Sequence, residues 1–476
     1  KLLVRATELS PDDPELRLQS ARALRDAGQG EEAAIAYLDT AADRAPEEAI
    51  RVRGLAVEAY LTSGQIEEGT QHYRALLSEV GLSFPKTHLG AIFGLLWQMV
   101  TTKIRGSQFT TDFAREVPRE TADRLDLLLV GGKGFLTFNP VLGGWFWYRL
   151  LTLARKAGDA RRTAHALGQV GLSTSFPASA GALAKGSALL SQAESIAEDL
   201  EDAHLSGSLR CIRGIAAIAA LRFDKCRKLL ESGLDTFNTH SVGARWERTV
   251  SEHTRLHAMC WAGNLRECFD EAQAWSSTAP LDVDIVSRVS FQPFVALAEL
   301  AEDFPTRARE TTEEAMRTFS RRFFTPMHAH ALRVNLRIDV YQGNPARALE
   351  RLEDAWPSLR RGFLLGLKLW RIEFTGIRAQ LHAVMANRGQ RGAARKAHRY
   401  IRSLKSERAA WADGAAETAL GTLALADGRH ADVLRHYDAA IKAYREAGLH
   451  AHAVAVALQR ASVNREMSAN GVAAQW

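Results

Sequence analysis

Residues 251–260 read SEHTRLHAMC, a stretch whose residue types could hold a metal. His253 and His257 stand four apart and share a helix face, Cys260 follows three later, and Glu252 is adjacent. Zinc takes imidazole, thiolate and carboxylate ligands at such spacings, but it needs three or four that converge. No second ligand pair follows at a helpful interval. In a chain with 15 His, a His-x3-His pair also arises by chance. A surface or interhelical pair is the expectation, and no metal ligand is assigned.

Nucleophilic and phosphate chemistry fare no better. A reactive cysteine needs a base and an electropositive setting. Cys226 and Cys268 instead occupy positions where related segments carry Ala or Gly, which suits small packing residues. VGGKGF (residues 130–135) has a Gly-Gly-Lys, yet it lacks the spacing and the hydroxyl residue of a GxxxxGK[ST] phosphate cradle. The glycine loop, VAIK-type lysine, HRD and DFG of a protein kinase are missing too. No catalytic or cofactor-binding residue is assigned.

Two other clusters are candidates for binding. RGQRGAARKAHRYIRSLKSER spaces Arg388, Arg391, Arg395, Arg399 and Arg402 so that one helix would carry them on one face. Residues 386–408 hold eight Lys or Arg against one Glu. A solvated face is the plain reading, and contact with an acidic partner is the functional one. These five arginines are the expected partner-binding residues. No nucleic-acid motif accompanies them. The second cluster, WFWY at Trp145–Tyr148, cannot put four rings on one helix face, because successive residues turn by about 100°. Either the helix is buried on nearly all sides or some rings stay exposed and mark a binding patch; burial against the irregular insert is the expectation.

The elements that would position these residues follow from a repeat. IDVYQGNPARALERLEDAWPSL (residues 338–359) meets in a Gly-Asn-Pro turn. With Gly343 as zero, Ala348 lies at +5, Leu352 at +9 and Ala355 at +12. Gly28, Gly64, Gly263, Asp303 and Gly428 start the same register, with weaker copies at Gly158, Leu221 and Gly389. Glycine ends a helix by taking the left-handed conformation, and Pro begins the next. A small residue at +5 lets the two helices approach, and +9 and +12 continue that face. The copies recur at intervals of 36 to 46 residues. Each is a helical hairpin that buries its apolar face only by stacking on neighbours. The fold class is therefore all-α, a TPR-like α-solenoid of about eight to ten stacked hairpins with an irregular helical insert. The expected divisions are 1–80 (N-terminal hairpins), 81–150 (a Gly/aromatic-rich insert), 151–460 (the main array) and 461–476 (a truncated tail). In the insert, Leu89, Ile92, Phe93, Leu96 and Val100 fall on one side of a helix, and such an insert can shape a binding face. Inner helices of the array are expected to line an extended concave groove.

Composition agrees. The chain has 476 residues, is 46% hydrophobic and 24% charged, and contains 13 Pro, which excludes disorder. Net charge is +6, but residues 1–80 carry 9 basic and 15 acidic side chains. Four cysteines without a CxxC pair point to a reducing, cytoplasmic setting. The most apolar run, residues 125–151, is broken by Lys133, Asn139-Pro140 and two Gly-Gly pairs, so no membrane span is expected. The chain does not begin with Met, and a longer polypeptide is expected.

Three quoted blocks carry a resemblance. RDAGQGEEAAIAYLDTAADRAPEEAIRVRGLAVEAYLTSGQIEEG, EVGLSFPKT and VYQGNPARALERLEDAWPSLRRGFLLGLKLWRIE, in that order, resemble the C-terminal helical-repeat region of large bacterial serine/threonine protein kinases. The resemblance runs from about Pro11 to Arg460. In that family a kinase domain and an AAA-type ATPase module precede a TPR-like array. The resemblance implies an interaction or regulatory region that recruits a protein or peptide ligand or senses a signal; the arginine stripe adds the expectation of an acidic segment on that ligand. It places ATP and Mg in the parent protein's kinase and ATPase domains, with no cofactor here. The alternative is the sensor array of a signal-transduction ATPase that regulates transcription through a separate DNA-binding domain.

Overall fold

The expected turns are where the chain reverses. In the computed structural model, which describes residues 13–104, 116–240, 244–278, 285–317, 319 and 324–473, the zero positions are left-handed. Gly28, Gly64, Gly263, Gly343 and Gly428 have φ between 68° and 101°, and Leu221 and Asp303 take φ of 60° and 67° without being glycine. The described residues form 22 α-helices, one short 3-10 turn and no strand.

Ten hairpins follow one another. They pair α1 (Pro14–Asp26) with α2 (Gly30–Ala42) and α3 (Pro46–Ser63) with α4 (Ile66–Glu79). A single helix, α5 (His88–Ile104), intervenes. Then come α6 (Arg119–Leu136) with α7 (Pro140–Ala157), α8 (Ala160–Ser175) with α9 (Ala180–Asp199), and α10 (Ala203–Ala219) with α11 (Phe223–His240). The array continues as α12 (Arg245–Ala262) with α13 (Leu265–Thr278), α14 (Ile285–Ala301) with α15 (Pro305–Arg317), and α16 (Pro326–Tyr341) with α17 (Pro345–Arg361). It closes with α18 (Lys368–Asn387) and α19 (Ala393–Ser406), α20 (Ala410–Ala426) and α21 (His430–Glu446), and the lone α22 (His450–Ala473). The chain is an all-α, TPR-like solenoid. Of the 461–476 segment, residues 474–476 lie outside the described residues.

The +5 and +9 side chains are the contacts that hold each pair. Ala33, Cys226, Cys268, Ala308, Ala348 and Val433 at +5 are all fully buried, as are Tyr37, Tyr73, Leu230, Ala272 and Leu352 at +9. One copy is shifted. Counting from Gly389 gives Ala394 and His398, which are exposed, whereas counting from Gly392 gives buried Ala397, Ile401 and Leu404. The turn there is three residues longer, and Gly392 (φ 78°) rather than Gly389 opens the outer helix. Gly158 sits between hairpins, joining α7 to α8, instead of inside one.

Close approach explains the glycines of residues 131–144. A Cβ on Gly132 would stand 2.7 Å from the Trp147 ring, and one on Gly143 would stand 2.9 Å from the Leu136 backbone. With no side chain there, α6 and α7 press together, and α5 covers the remaining side of α7. All four WFWY rings are buried, from Phe146 at 0% to Trp145 at 6% exposure.

The array winds tightly enough that distant inner helices touch. α12 contacts α22, α10 contacts α18, and α14 contacts α3. One apolar core runs from Cys211 to Val463. Its centre is aromatic, with Trp261 lying 6.1 Å from both Trp370 and Trp411. The extended concave groove expected of the inner helices is therefore filled along this part of the array. A buried ion pair makes another closure. Lys133 of α6 reaches Glu247 of α12 at 2.5 Å and Glu58 of α3 at 3.6 Å.

Candidate functional site

The arginine stripe divides between a turn and a helix. Arg388 caps α18 and Arg391 lies in the turn, because α19 begins only at Ala393. Arg395, Arg399 and Arg402 are on α19, opposite the buried Ala393, Ala397, Ile401 and Leu404. All five are exposed. Arg388 donates to the Gly343 carbonyl at 3.4 Å, while Arg391, Arg395, Arg399 and Arg402 form no ion pair with a described residue. The outward face is a solvated cationic surface of four free guanidinium groups.

The histidines of SEHTRLHAMC are core residues. His253 and His257 are buried in α12, and His330 of α16 joins them, with ligand atoms of all three within 4.8 Å of one another. Sequence spacing could not show His330, which arrives 73 residues later from a stacked helix. The trio does not suit a metal. The His257 and His330 rings stack at 3.5 Å with 19° between planes, so their in-plane lone pairs run side by side and cannot meet on one ion. His257 Nδ1 also accepts from Arg333 Nη2 at 3.1 Å, which fixes the proton on Nε2. His253 Nδ1 donates to the Ser290 carbonyl at 2.9 Å. Burial, with Arg333 adding to it, holds the His253 pKa down at about 4. Burial and the neighbouring His and Arg groups push His257 and His330 lower than usual as well. Three neutral imidazoles result.

Cys260 turns away from this trio, and its Sγ lies 3.2 Å from Cys268 Sγ. All four cysteines are free thiols and buried. Burial raises the Cys226 pKa, and raises Cys211 to about 11, which suits inert packing thiols. Lys133 of VGGKGF is held by carboxylates in mid-helix. Burial alone would lower its pKa, but Glu247 and Glu58 reverse this and raise it. Burial would raise Glu247, yet Lys133 holds it down at about 2.

A large concavity lies elsewhere. A cleft of about 1630 Å³ opens between the α5 and α7 starts on one side and α15 and the end of α17 on the other. Its apolar wall includes Ile92, Val141, Met316, Phe324 and Phe363. Polar groups on the same wall include Arg307, Glu310, Glu313 and Arg361. Next to it, α5 shows solvent an apolar stripe of Leu89, Phe93, Leu96, Trp97 and Val100, with Phe93 and Trp97 both 69% exposed. Phe363 across the cleft is 51% exposed, and its ring centroid lies 6.4 Å from that of His88. The sequence marked most of the α5 stripe, but not its opposite wall.

No protein-family model matches the chain, and no curated protein does. Solved structures of similar outline are distant. A Rap protein complexed with competence and sporulation factor is 12% identical, covering 87% of this chain and 99% of that one, with a TM-score of 0.44. The APC/C hetero-tetramer Cut9–Hcn1 is 13% identical, over 97% of this chain and 82% of that one, at 0.41. A human IFIT1 dimer with PPP-AAAA is 13% identical, over 95% and 91%, at 0.39. These likenesses are too loose to carry function. Among the described residues no helix is long and apolar enough to cross a membrane.

Proposed function

We propose that this chain is the interaction and regulatory region of a multidomain signalling protein, and that it holds an apolar segment of a protein partner in the cleft beside α5. The observation that carries this reading is the continuity of the 1630 Å³ cleft with the bare apolar stripe of α5. Small-molecule pockets run to about 1,000 Å³, so a space of this size suits a peptide. Monomeric proteins rarely leave a large apolar stripe uncovered, and an amphipathic helix laid in a groove is a recurrent way of covering one.

The free guanidinium groups of Arg391, Arg395, Arg399 and Arg402 support a second contact, with an acidic segment, on the outer surface. Long-range attraction would act mainly on the association rate. The resemblance of the repeat blocks supports a parent protein with a serine/threonine kinase and an AAA-type ATPase, to which ATP and Mg would belong. Reading the region encoded before Lys1 tests that context directly.

Photo-crosslinking from positions 93 and 363 in the cell tests the cleft. Both positions should trap the same discrete protein, and an exposed control position on α1 should not. Equal labelling at all three positions would refute the reading. For the outer surface, changing Arg391, Arg395 and Arg399 to Glu should slow association with the trapped partner, less so at high salt. Unchanged association would reduce those arginines to a solvated surface.

A further inference from the structure

The interior around Arg333 holds more hydrogen-bond donors than acceptors. Arg333 is 1% exposed, and its Nη2 is used by His257. Its Nη1 stands 3.5 Å from Glu373 Oε1, an ion-pair distance at the limit of a hydrogen bond. Arg333 Nε and Nη1 are buried without a hydrogen-bond partner, and so, on the acceptor side, is Glu373 Oε2. The guanidinium lies 5.0 Å above the Trp261 ring, whose Nε1–H is also buried without an acceptor. His257 carries its proton on Nε2, and that group is unpartnered too.

Arg337 is four residues further along α16, on the same helix face. It is only partly reached by solvent and forms no ion pair with a described residue. The charges that act on it are the like charge of Arg333 and the opposing one of Glu373. Burial and Arg333 together pull its pKa down. The same two arginines, after burial, hold His452 of α22 at about 4 from across the array, and His452 Nδ1 is unpartnered. Buried Arg333 and half-buried Arg337 thus share one carboxylate. An uncompensated buried cation is costly, and water can satisfy its donors without cancelling its charge.

We propose that Arg333 and Arg337, with the Trp261 indole, form an interior anion site for a small oxyanion of phosphate or dicarboxylate type. The several oxygens of one such anion can answer donors that stand apart, whereas a halide offers a single acceptor centre. Arg337 supplies the planar fork that matches such groups. The site is distinct from the cleft and does not rest on the partner reading.

The test is calorimetric titration of the purified chain with inorganic phosphate, and separately with malonate, at constant ionic strength. One saturable site is expected with at least one probe, together with a rise in melting temperature that sodium chloride does not produce. Which probe binds separates the two ligand chemistries. Arg337→Gln should weaken binding at least ~10-fold, a loss typical of a charge-assisted contact. The double variant Arg395→Gln/Arg399→Gln, on the outer helix, should leave it unchanged. Should Arg337→Gln not fold, Arg337→Lys keeps the charge and loses the fork, and should still bind more weakly. No binding and no thermal shift with either probe would overturn the site and leave its donors to water. Undiminished binding by the Arg337 variant, or an equal loss from the outer pair, would overturn it as well.

Discussion

Lowering the pH should destabilise this protein through its imidazole nest, and His253 gives the magnitude. The folded chain holds His253 neutral, with its pKa lowered from 6.5 to about 4. The groups facing it are His257 and His330, Arg333 in the next layer, and the Phe294 ring. Because the unfolded chain takes up the proton first, stability is full above about pH 6.5 and falls as the pH drops toward about 4. At roughly 1.4 kcal/mol per pKa unit the complete loss is about 3 kcal/mol, of which about 2 kcal/mol is gone at about pH 5. His257 and His330 shift in the same direction and add to it. His253→Asn isolates the term, because the Asn amide can still donate to the Ser290 carbonyl but does not titrate. Urea unfolding followed by tryptophan fluorescence, with Trp261 and Trp370 close to the nest, reads the change. Between about pH 8 and pH 5 the wild-type chain should lose about 2 kcal/mol more than the variant. Parallel pH profiles would refute the assignment, as would an NMR titration placing the His253 imidazole near pH 6.5.

Three further outcomes are expected. Lys133→Met should destabilise by about 3–5 kcal/mol by leaving Glu247 charged and buried, and adding Glu247→Leu should recover much of the loss in the same urea assay. Ala348→Trp should cost about 1–3 kcal/mol through overpacking of α16 against α17, since Ala348 is fully buried; an unchanged unfolding midpoint would mean that +5 is not an interhelical contact. The four thiols should react slowly with a thiol reagent in the native state and rapidly in denaturant, and prompt native labelling of any one would show that its burial is wrong.

The sequence by itself determined the repeating unit. A left-handed turn residue, a small +5 residue and a bulky +9 residue are local requirements of one hairpin, so they are written at fixed spacing and can be read without the fold. That is why Ala33, Ala348 and Val433 could be placed between helices from spacing alone; the spacing misled at Gly389, where a longer turn adds three residues, and at Gly158, which joins two hairpins. Burial of the WFWY rings was readable for a related reason, since four consecutive aromatics on a helix leave no solvent side. What only the tertiary structure decided is which turns of the array meet. His253 and His257 gain His330, Arg333 gains Trp261 and Glu373, and Lys133 gains Glu247 across 114 residues. These contacts depend on how tightly the solenoid winds, and winding is the sum of small packing angles over many hairpins. No single spacing encodes that sum. The same winding fills the groove expected along the inner helices and leaves the open cleft beside α5, where an unpaired helix interrupts the stack.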